Sequence, residues 1–246
     1  MRYLILSDLH ANLQALEAVL DDAQAIGYDS VLVLGDLVGY GADPNAVVDC
    51  IRDLPIAAMV RGNHDKVATG LAPVDSFNPV ARHAIGWTMR VLTPENHAWL
   101  ATLPEGPTPL DEHVEICHGA PHDEDFYVFD EMDAQRASAG LTRSVCLFGH
   151  THVACVFRIG QGMPQARIPA DSPYVFEYAA PGKALVNCGA VGQPRDGAPR
   201  AAYGILDTAT RTVTLARIAY DIRTAQSKIR AAGLPPSLAT RLGSGR

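Results

Sequence analysis

Short apolar blocks punctuate the first sixty residues, and each runs into side chains of a quite different kind. Residues 2–6 (RYLIL) lead into Ser7-Asp8-Leu9-His10, residues 30–34 (SVLVL) into Gly35-Asp36, and residues 56–60 (IAAMV) into Arg61-Gly62-Asn63-His64-Asp65. Blocks of this length, rich in branched residues, read as buried strands. Between the first two, Leu13, Leu16, Val19, Leu20, Ala23 and Ile26 fall on one face of a 3.6-residue period, and Gly27 ends the run. Asp43-Pro44 reads as the N-cap and first position of a second helix that stops before Pro55. The pattern β-α-β-α-β predicts a parallel sheet with crossover helices.

The second half changes character. Asn78-Pro79 and Thr93-Pro94 each open a helix, to about Leu92 and Thr102, with Trp87 and Trp99 packing them onto the body. Strands are predicted at 113–118, 144–148, 153–159, 184–188, 202–206 and 212–219, the last two forming an antiparallel hairpin through Thr208-Ala209-Thr210-Arg211. A helix over 221–232 follows, and the Gly/Pro/Ser-containing tail beyond it reads as partly mobile. A parallel half followed by a mixed half predicts two sheets packed face to face with helices outside.

Composition adds limits. The 246 residues, 48% apolar and 19% charged, suit a single domain over 1–246 with a sizeable core. A net charge of −7 argues against a general nucleic-acid or anionic-membrane binder, although bound cations would reverse the field locally. The first apolar run is too short for a signal peptide, and no segment reaches the roughly 18 apolar residues of a membrane span. Five cysteines without a CxxC pair read as reduced thiols, so a cytoplasmic location is expected.

The chemistry lies where the strands end. Asp8, His10, Asp36, Asn63, His64, His118, His150 and His152 each follow an apolar block within a few residues. Sites in α/β sheets collect outside the carboxyl ends of strands, so residues scattered in sequence meet in space. A lone Asp or His after a strand is ordinarily a cap or turn residue, but this set is a metal inventory. Carboxylates and imidazoles suit Mn, Fe, Zn, Ni or Co, and the lack of a thiolate cluster argues against structural zinc. Asp8/His10 and His150/His152 are pairs two apart, which point the same way if the chain stays extended. Asp36 has two oxygens with which to bridge two cations. Two metals about 3.5–4 Å apart activate a hydroxide and clamp an in-line phosphoryl displacement.

The blocks "DLH", "GDLVGYG", "RGNHD", "HG" and "GHTH" stand in the order of the calcineurin-like metallophosphoesterase superfamily, which the chain resembles over about residues 4 to 195. The resemblance implies a four-layer α/β/β/α sandwich of two mixed sheets flanked by helices, with a dinuclear centre at the strand ends. It assigns one metal to Asp8, His10, Asp36 and His152, and the other to Asp36, Asn63, His118 and His150. It makes His64 the catalytic group facing the leaving atom, with Asp65 orienting it through a hydrogen bond. The closer resemblance, carried by "DLHANLQALEAVL", "GDLVGYGADPN", "FNPVARHAIGWT" and "VNCGAVGQPRDG", is to small bacterial members, some similar to asymmetrical diadenosine tetraphosphate hydrolases and others to broad phosphodiesterases or phosphomonoesterases. Cys188 and Ala190 stand where a proline and a serine are more often found in the last block. The protein Ser/Thr phosphatase branch reads G-D-x-V-D-R-G, whereas this chain has Gly39 and Tyr40 at the D-R positions. A forked cation is lost, and an aromatic able to stack on a base or seal the cleft is gained.

Arg61 or Arg195 is expected to supply the missing charge. Asn12 reads both as the N-cap of helix 13–26 and as a cleft residue, since a helix N-terminus beside a metal site favours anions. Segment 76–103 supplies no ligand and is expected to overhang the cleft as a helical cap. The expected function is metal-dependent hydrolysis, by hydroxide attack, of a phosphodiester, phosphoanhydride or phosphomonoester in a small molecule or nucleotide. Two transition-metal ions are expected, with Mn or Fe favoured. The alternatives are a non-catalytic metal-binding scaffold of the same fold, or a nuclease, against which the acidic balance counts.

Overall fold

A strand covered on both faces carries apolar residues at every position, and its period of two decides which layer each one serves. The computed structural model, which describes residues 1–160, 166–167, 173–178 and 182–246, follows this rule closely. The chain opens with β1 (Arg2–Leu6), α1 (Leu13–Ile26), β2 (Ser30–Val33), α2 (Pro44–Arg52) and β3 (Ile56–Met59). Helices α3 (Asn63–Ala68), α4 (Pro79–Val91) and α5 (Pro94–Leu100) come next, before β4 (Thr108–Pro109) and β5 (Val114–Ile116). Then follow α6 (Glu131–Ala137), β6 (Val145–Phe148), β7 (Cys155–Ile159), β8 (Ala166–Arg167), β9 (Tyr174–Glu177) and β10 (Lys183–Asn187). The hairpin β11 (Ala201–Asp207) and β12 (Thr212–Ile218) and helices α7 (Ile222–Ala231) and α8 (Pro236–Leu242) complete the order.

Two six-stranded mixed sheets result, ordered β3-β2-β1-β11-β12-β9 and β4-β5-β6-β10-β7-β8. Strands β1, β2 and β3 are parallel in the first, and β5, β6 and β10 in the second. In β1, Leu4 and Leu6 face α1 and α2, while Tyr3 and Ile5 face the second sheet. In β6, Val145 and Leu147 meet the first sheet, while Cys146 and Phe148 turn outward to α6. The layers are therefore helix, sheet, sheet, helix, the metallophosphoesterase arrangement. All six parallel strands send their carboxyl ends toward the loops that carry the histidines and aspartates.

The structure corrects the expectation at the C-terminal end of the chain. The tail beyond α7 is not loose, because Leu238, Ala239 and Leu242 of α8 are buried with Ala225 and Ile229 of α7, Ala81 and Ala84 of α4, and Tyr40. Seven residues are too few for a helical period to stand out in sequence. The same brevity hides α3 and α6. Segment 76–103 forms α4 and α5 as expected; Trp87 packs in the α4–α7–α8 cluster and Trp99 against the main core. The five cysteines form no disulfide. No helix among the described residues is long and apolar enough to cross a membrane.

Because Leu238 is fully buried, Leu238→Ala should cost about 2–5 kcal/mol. Urea denaturation would show this as a lowered midpoint with an unchanged slope; an unchanged midpoint would mean α8 is dispensable.

Candidate metal centre

An imidazole has two nitrogens, and a hydrogen bond from one to a carbonyl fixes the other as a bare lone pair, since a carbonyl can only accept. Four histidines here are locked in this way. Nδ1 of His10 lies 3.1 Å from Val38 O, Nδ1 of His118 2.7 Å from Leu34 O, and Nδ1 of His152 2.6 Å from Gln193 O. His150 is reversed, with Nε2 3.1 Å from Asp125 O and Nδ1 turned inward. The four freed nitrogens converge on two buried carboxylates. His10 and His118 Nε2 stand 3.5 and 3.4 Å from Asp36 Oδ2, and His152 Nε2 stands 3.3 Å from Asp8 Oδ1. They also crowd each other, at 3.1 Å for His10–His152 and 3.1 Å for His118–His150. Asn63 Oδ1 lies 3.3 Å from His118 Nε2.

Lone pairs that face lone pairs repel unless a cation or a proton sits between them. The donor set is thus what a metal site requires, and it falls into two groups, Asp8–His10–Asp36–His152 and Asp36–His118–His150, each with ligand atoms within 4.8 Å of one another. Asp36 belongs to both, but through one atom. Its Oδ1 accepts the His64 backbone N–H at 2.8 Å, and its Oδ2 is the oxygen that faces His10 in one group and His118 in the other.

The convergence does not come from extended backbone, contrary to the reading of Asp8/His10 and His150/His152 as strand-like pairs. Five of the eight described non-glycine residues with positive φ are Asp8, His10, Asp36, His150 and His152. Left-handed backbone costs a branched-out side chain about 1–2 kcal/mol per residue, and such strain gathers where function requires it. The tight loops also need glycines. A Cβ on Gly62 would enter the Asp36 carboxylate, and one on Gly192 would enter the Leu9 carbonyl.

Burial keeps His10, His150 and His152 well below the ordinary imidazole range, the His118 charge adding to the effect at His150 and Arg195 at His152. Burial would also depress His118, but the Asp36 carboxylate beside it, then Asp8, outweigh that and hold it at about 10. Asp36 is the counterpart: burial opposes its ionisation, yet His118 and then His64 keep it well below the carboxylate range. Asp8, which faces fewer imidazoles, is pushed by burial up to about 6. One proton, on His118, thus stands where the lone-pair cluster would otherwise repel.

The other expected site residues fall differently. His64 is buried, its ring 4.4 Å from Tyr40, 4.6 Å from Phe77 and 4.8 Å from His10. Its Nδ1 has no hydrogen-bond partner, and burial lowers it to about 4. Asp65 does not orient that ring. Its Oδ1 accepts from Leu37 and Val38 N at 2.9 and 3.2 Å and its Oδ2 from Gly62 N at 3.0 Å, which clamps the Asp36 loop to the Asn63 loop. Arg61 is not a free phosphate grip, since its Nε and Nη2 both reach Glu124 at 2.9 Å and Nη2 also reaches Glu105 at 3.1 Å. Asn12 caps α1 by accepting from Ala15 N and donates to Gly192 O at 2.8 Å, so its amide is spent on structure. Arg195 lies over the Tyr40 ring at 5.7 Å, beside the cluster.

Sequence reasoning passes over two features. Asn187, at the end of β10, donates to Gly149 O at 2.7 Å and Thr151 Oγ1 at 3.0 Å, holding the loop of His150 and His152. Its place at the end of an apolar block was the available signal. Tyr127 stacks on His150 at 3.7 Å and on Phe129 at 5.2 Å, and both aromatics are exposed, at 41% and 55%. They sit in an irregular stretch with no period to mark them.

A four-layer sandwich with buried histidines and aspartates at its strand ends defines a metallophosphoesterase. The chain belongs to the calcineurin-like phosphoesterase superfamily, whose domain model matches residues 1–211, a metal-dependent family of phosphoester hydrolases. It is similar to a metallophosphoesterase from Sphaerobacter thermophilus, with 39% identity, 100% and 99% of the two chains covered, and a TM-score of 0.89. An uncharacterized protein of Methanocaldococcus jannaschii, MJ0912, is 36% identical over 98% of this chain and 97% of its own. The hypothetical protein PH1004 from Pyrococcus horikoshii shares the fold at 18% identity, with a TM-score of 0.79 over 100% and 98% of the two chains.

Two outcomes follow for metal uptake. With His118 held at about 10, loading the metal-free protein at pH 7 should release about one proton, and affinity should fall about tenfold from pH 7 to 6 and more steeply below, where Asp8 at about 6 also takes up a proton. Calorimetry in buffers of different ionisation enthalpy reads this directly, and zero release would contradict it. Asn187→Leu should fold yet weaken metal binding by about 10–100-fold, measured by competition with a chromophoric chelator.

Proposed function

We propose that the protein is a dinuclear-metal phosphoesterase acting on a small-molecule or nucleotide substrate. The observation that carries this reading is the set of four imidazoles, each tied by one nitrogen to a backbone carbonyl and aiming the other at Asp8 or Asp36. Asp8, His10, Asp36 and His152 would hold one cation, and Asp36, Asn63, His118 and His150 the other, with Mn or Fe suited to this nitrogen and oxygen set. Bound there, the pair supplies Lewis acidity, which makes water acidic and neutralises phosphoryl charge.

The protein's own residues do the rest. His64 sits against the Asp36 loop, and its Nδ1 has no hydrogen-bond partner. With the ring lowered to about 4, and nearby cations pressing it lower, His64 serves as a neutral hydrogen-bond donor to the departing oxygen rather than as an imidazolium acid. Asp65 holds the Asn63 and Asp36 loops at fixed spacing through three backbone N–H groups. Tyr40 and Phe77 line the wall around His64, and Tyr127 covers His150. These rings exclude water and suit a leaving group with a flat face. Segment 76–103 would govern access through Phe77, which precedes α4.

The test uses metal-loaded protein and a panel of p-nitrophenyl phosphate, bis-p-nitrophenyl phosphate and diadenosine tetraphosphate. Turnover should vanish with chelator and return with Mn²⁺. His64→Ala should retain its metal by elemental analysis and lose about 10²–10⁴-fold in kcat; wild-type turnover in that variant would sink the assignment. The pH profile separates the two roles of His64. A neutral donor gives no fall in kcat as pH rises from 4 to 7, whereas a required imidazolium makes kcat fall over that range.

A further inference from the structure

The two halves of the cluster are braced by different kinds of bond. Around Asp8, His10 and His152 the loops are joined by buried backbone groups: His10 N donates to Asp36 O, Ala11 N to Leu37 O and Gly192 N to Asp8 O, each at 2.9 Å. In the other half, the segment that orients His150 is tied to the segment that carries Asn63 through charges. Arg61 and Lys66 flank Asn63, and both close on Glu124. Arg61 grips it as a fork, Nε to Oε2 and Nη2 to Oε1 at 2.9 Å each, and Lys66 Nζ reaches Oε1 at 2.8 Å. Lys66 Nζ also reaches Asp125 Oδ2 at 2.6 Å. The backbone oxygen of that same Asp125 is the acceptor that fixes His150 Nε2.

The third ligand of this half adjoins the same segment. A Cβ on Gly119, the residue after His118, would come within 2.6 Å of the Glu124 backbone oxygen. Ala120 and Asp123 exchange backbone bonds at 2.9 and 3.1 Å, which closes the loop between His118 and Glu124. The Glu124 side chain is buried, whereas those of Asp125 and Glu105, which accepts from Arg61 Nη2 at 3.1 Å, are 52% and 62% exposed. The ionic link therefore runs from the interior to solvent. Burial opposes ionisation of Glu124, yet Arg61 and then Lys66 hold its carboxyl below the ordinary range, so at neutral pH it is a carboxylate. Removing its charge leaves Arg61 and Lys66 facing each other without the anion they share.

Resting on the dinuclear reading above, we infer that Glu124 is a positioning residue for one ion alone, that of Asn63, His118 and His150, and that this ion is the more readily exchanged of the two. Glu124 belongs to neither ligand set. It holds the spacing between Asn63 on one segment and the carbonyl that orients His150 on another. The ion of Asp8, His10 and His152 rests on buried backbone bonds instead. Salt screens charges that reach solvent and leaves buried neutral bonds alone, so the two positions should part in affinity as ionic strength rises.

The probe is Mn²⁺ added stepwise to the chelator-stripped full chain, with free Mn²⁺ followed by electron paramagnetic resonance to give one affinity per ion. Glu124→Gln keeps the volume and removes the charge; it should weaken one step about 10–100-fold and leave the other unchanged. Asn63→Ala, which removes a ligand of the same ion, should abolish that step, and Glu124→Gln added to it should not alter the step that remains. In the wild type, raising sodium chloride from about 0.05 to about 0.5 M should weaken the same step more than the other, and Glu124→Gln should lose that extra sensitivity. Equal weakening of both steps, or two unchanged steps, would overturn the assignment. Thermal melting of the metal-free chain confirms the fold, and Lys66→Met, expected to weaken the same step, carries the test if the glutamine variant is unfolded. The wild-type arm tests the dinuclear reading separately. Fewer than two ions bound there refutes that reading and this assignment with it, whereas two ions in both wild type and variant at equal affinities refutes the role of Glu124 alone.

Discussion

Four backbone carbonyls govern the chemistry of this protein. Val38, Leu34, Gln193 and Asp125 each take the N–H of one histidine ring and so decide which nitrogen is left bare. These carbonyls sit in loops that no single strand controls. The site is therefore only as well defined as the packing of those loops against each other, and most of the unusual backbone serves that packing. Asp8 accepts the His150 backbone N–H and Asp36 accepts that of His64, so each carboxylate both faces an imidazole and staples its own loop to another. Asp65 staples a third point, and Asn187 a fourth.

The cost of this arrangement falls on the backbone. Left-handed geometry at Asp8, His10, Asp36, His150 and His152 would not persist in an isolated loop. The core on either side sustains it: Leu4, Leu6, Val31 and Val33 are fully buried against the outer helices, and Ile5, Leu32 and Leu34 against the second sheet. The two sheets differ in sequence, but each ends its parallel strands at the same place, and their apolar contact layer sets the separation across which the imidazoles meet.

Much of this is legible in sequence, and the limits have physical causes. The first βαβαβ run is readable because buried parallel strands are continuous apolar blocks and amphipathic helices keep a 3.6 period. Asp8, His10, Asp36, Asn63, His118, His150 and His152 stand out because each follows such a block. What sequence does not carry is the direction of a side chain once the backbone leaves the allowed regions of a strand, so the i, i+2 argument for Asp8 and His10 fails although both residues arrive at the cluster. Arg61 misleads for a different reason. Its partners Glu105 and Glu124 lie 44 and 63 residues away, and a neutralising partner at that separation is invisible locally. Asp65 is a loop clamp rather than an imidazole partner because three backbone N–H groups reach it first.

Gly39 holds a consequence of another kind. A Cβ at that position would overlap Nδ1 of His64, and it is the position where the protein phosphatase pattern carries an aspartate. Here the space beside residue 39 is occupied by the His64 ring, which packs against Tyr40 and Phe77. No single replacement at residue 39 converts one design into the other, because the ring must first withdraw from ground that its aromatic neighbours hold. Any side chain at residue 39 would press on the His64 ring, so the absence of a Cβ there is a condition for the ring's place between Tyr40 and Phe77.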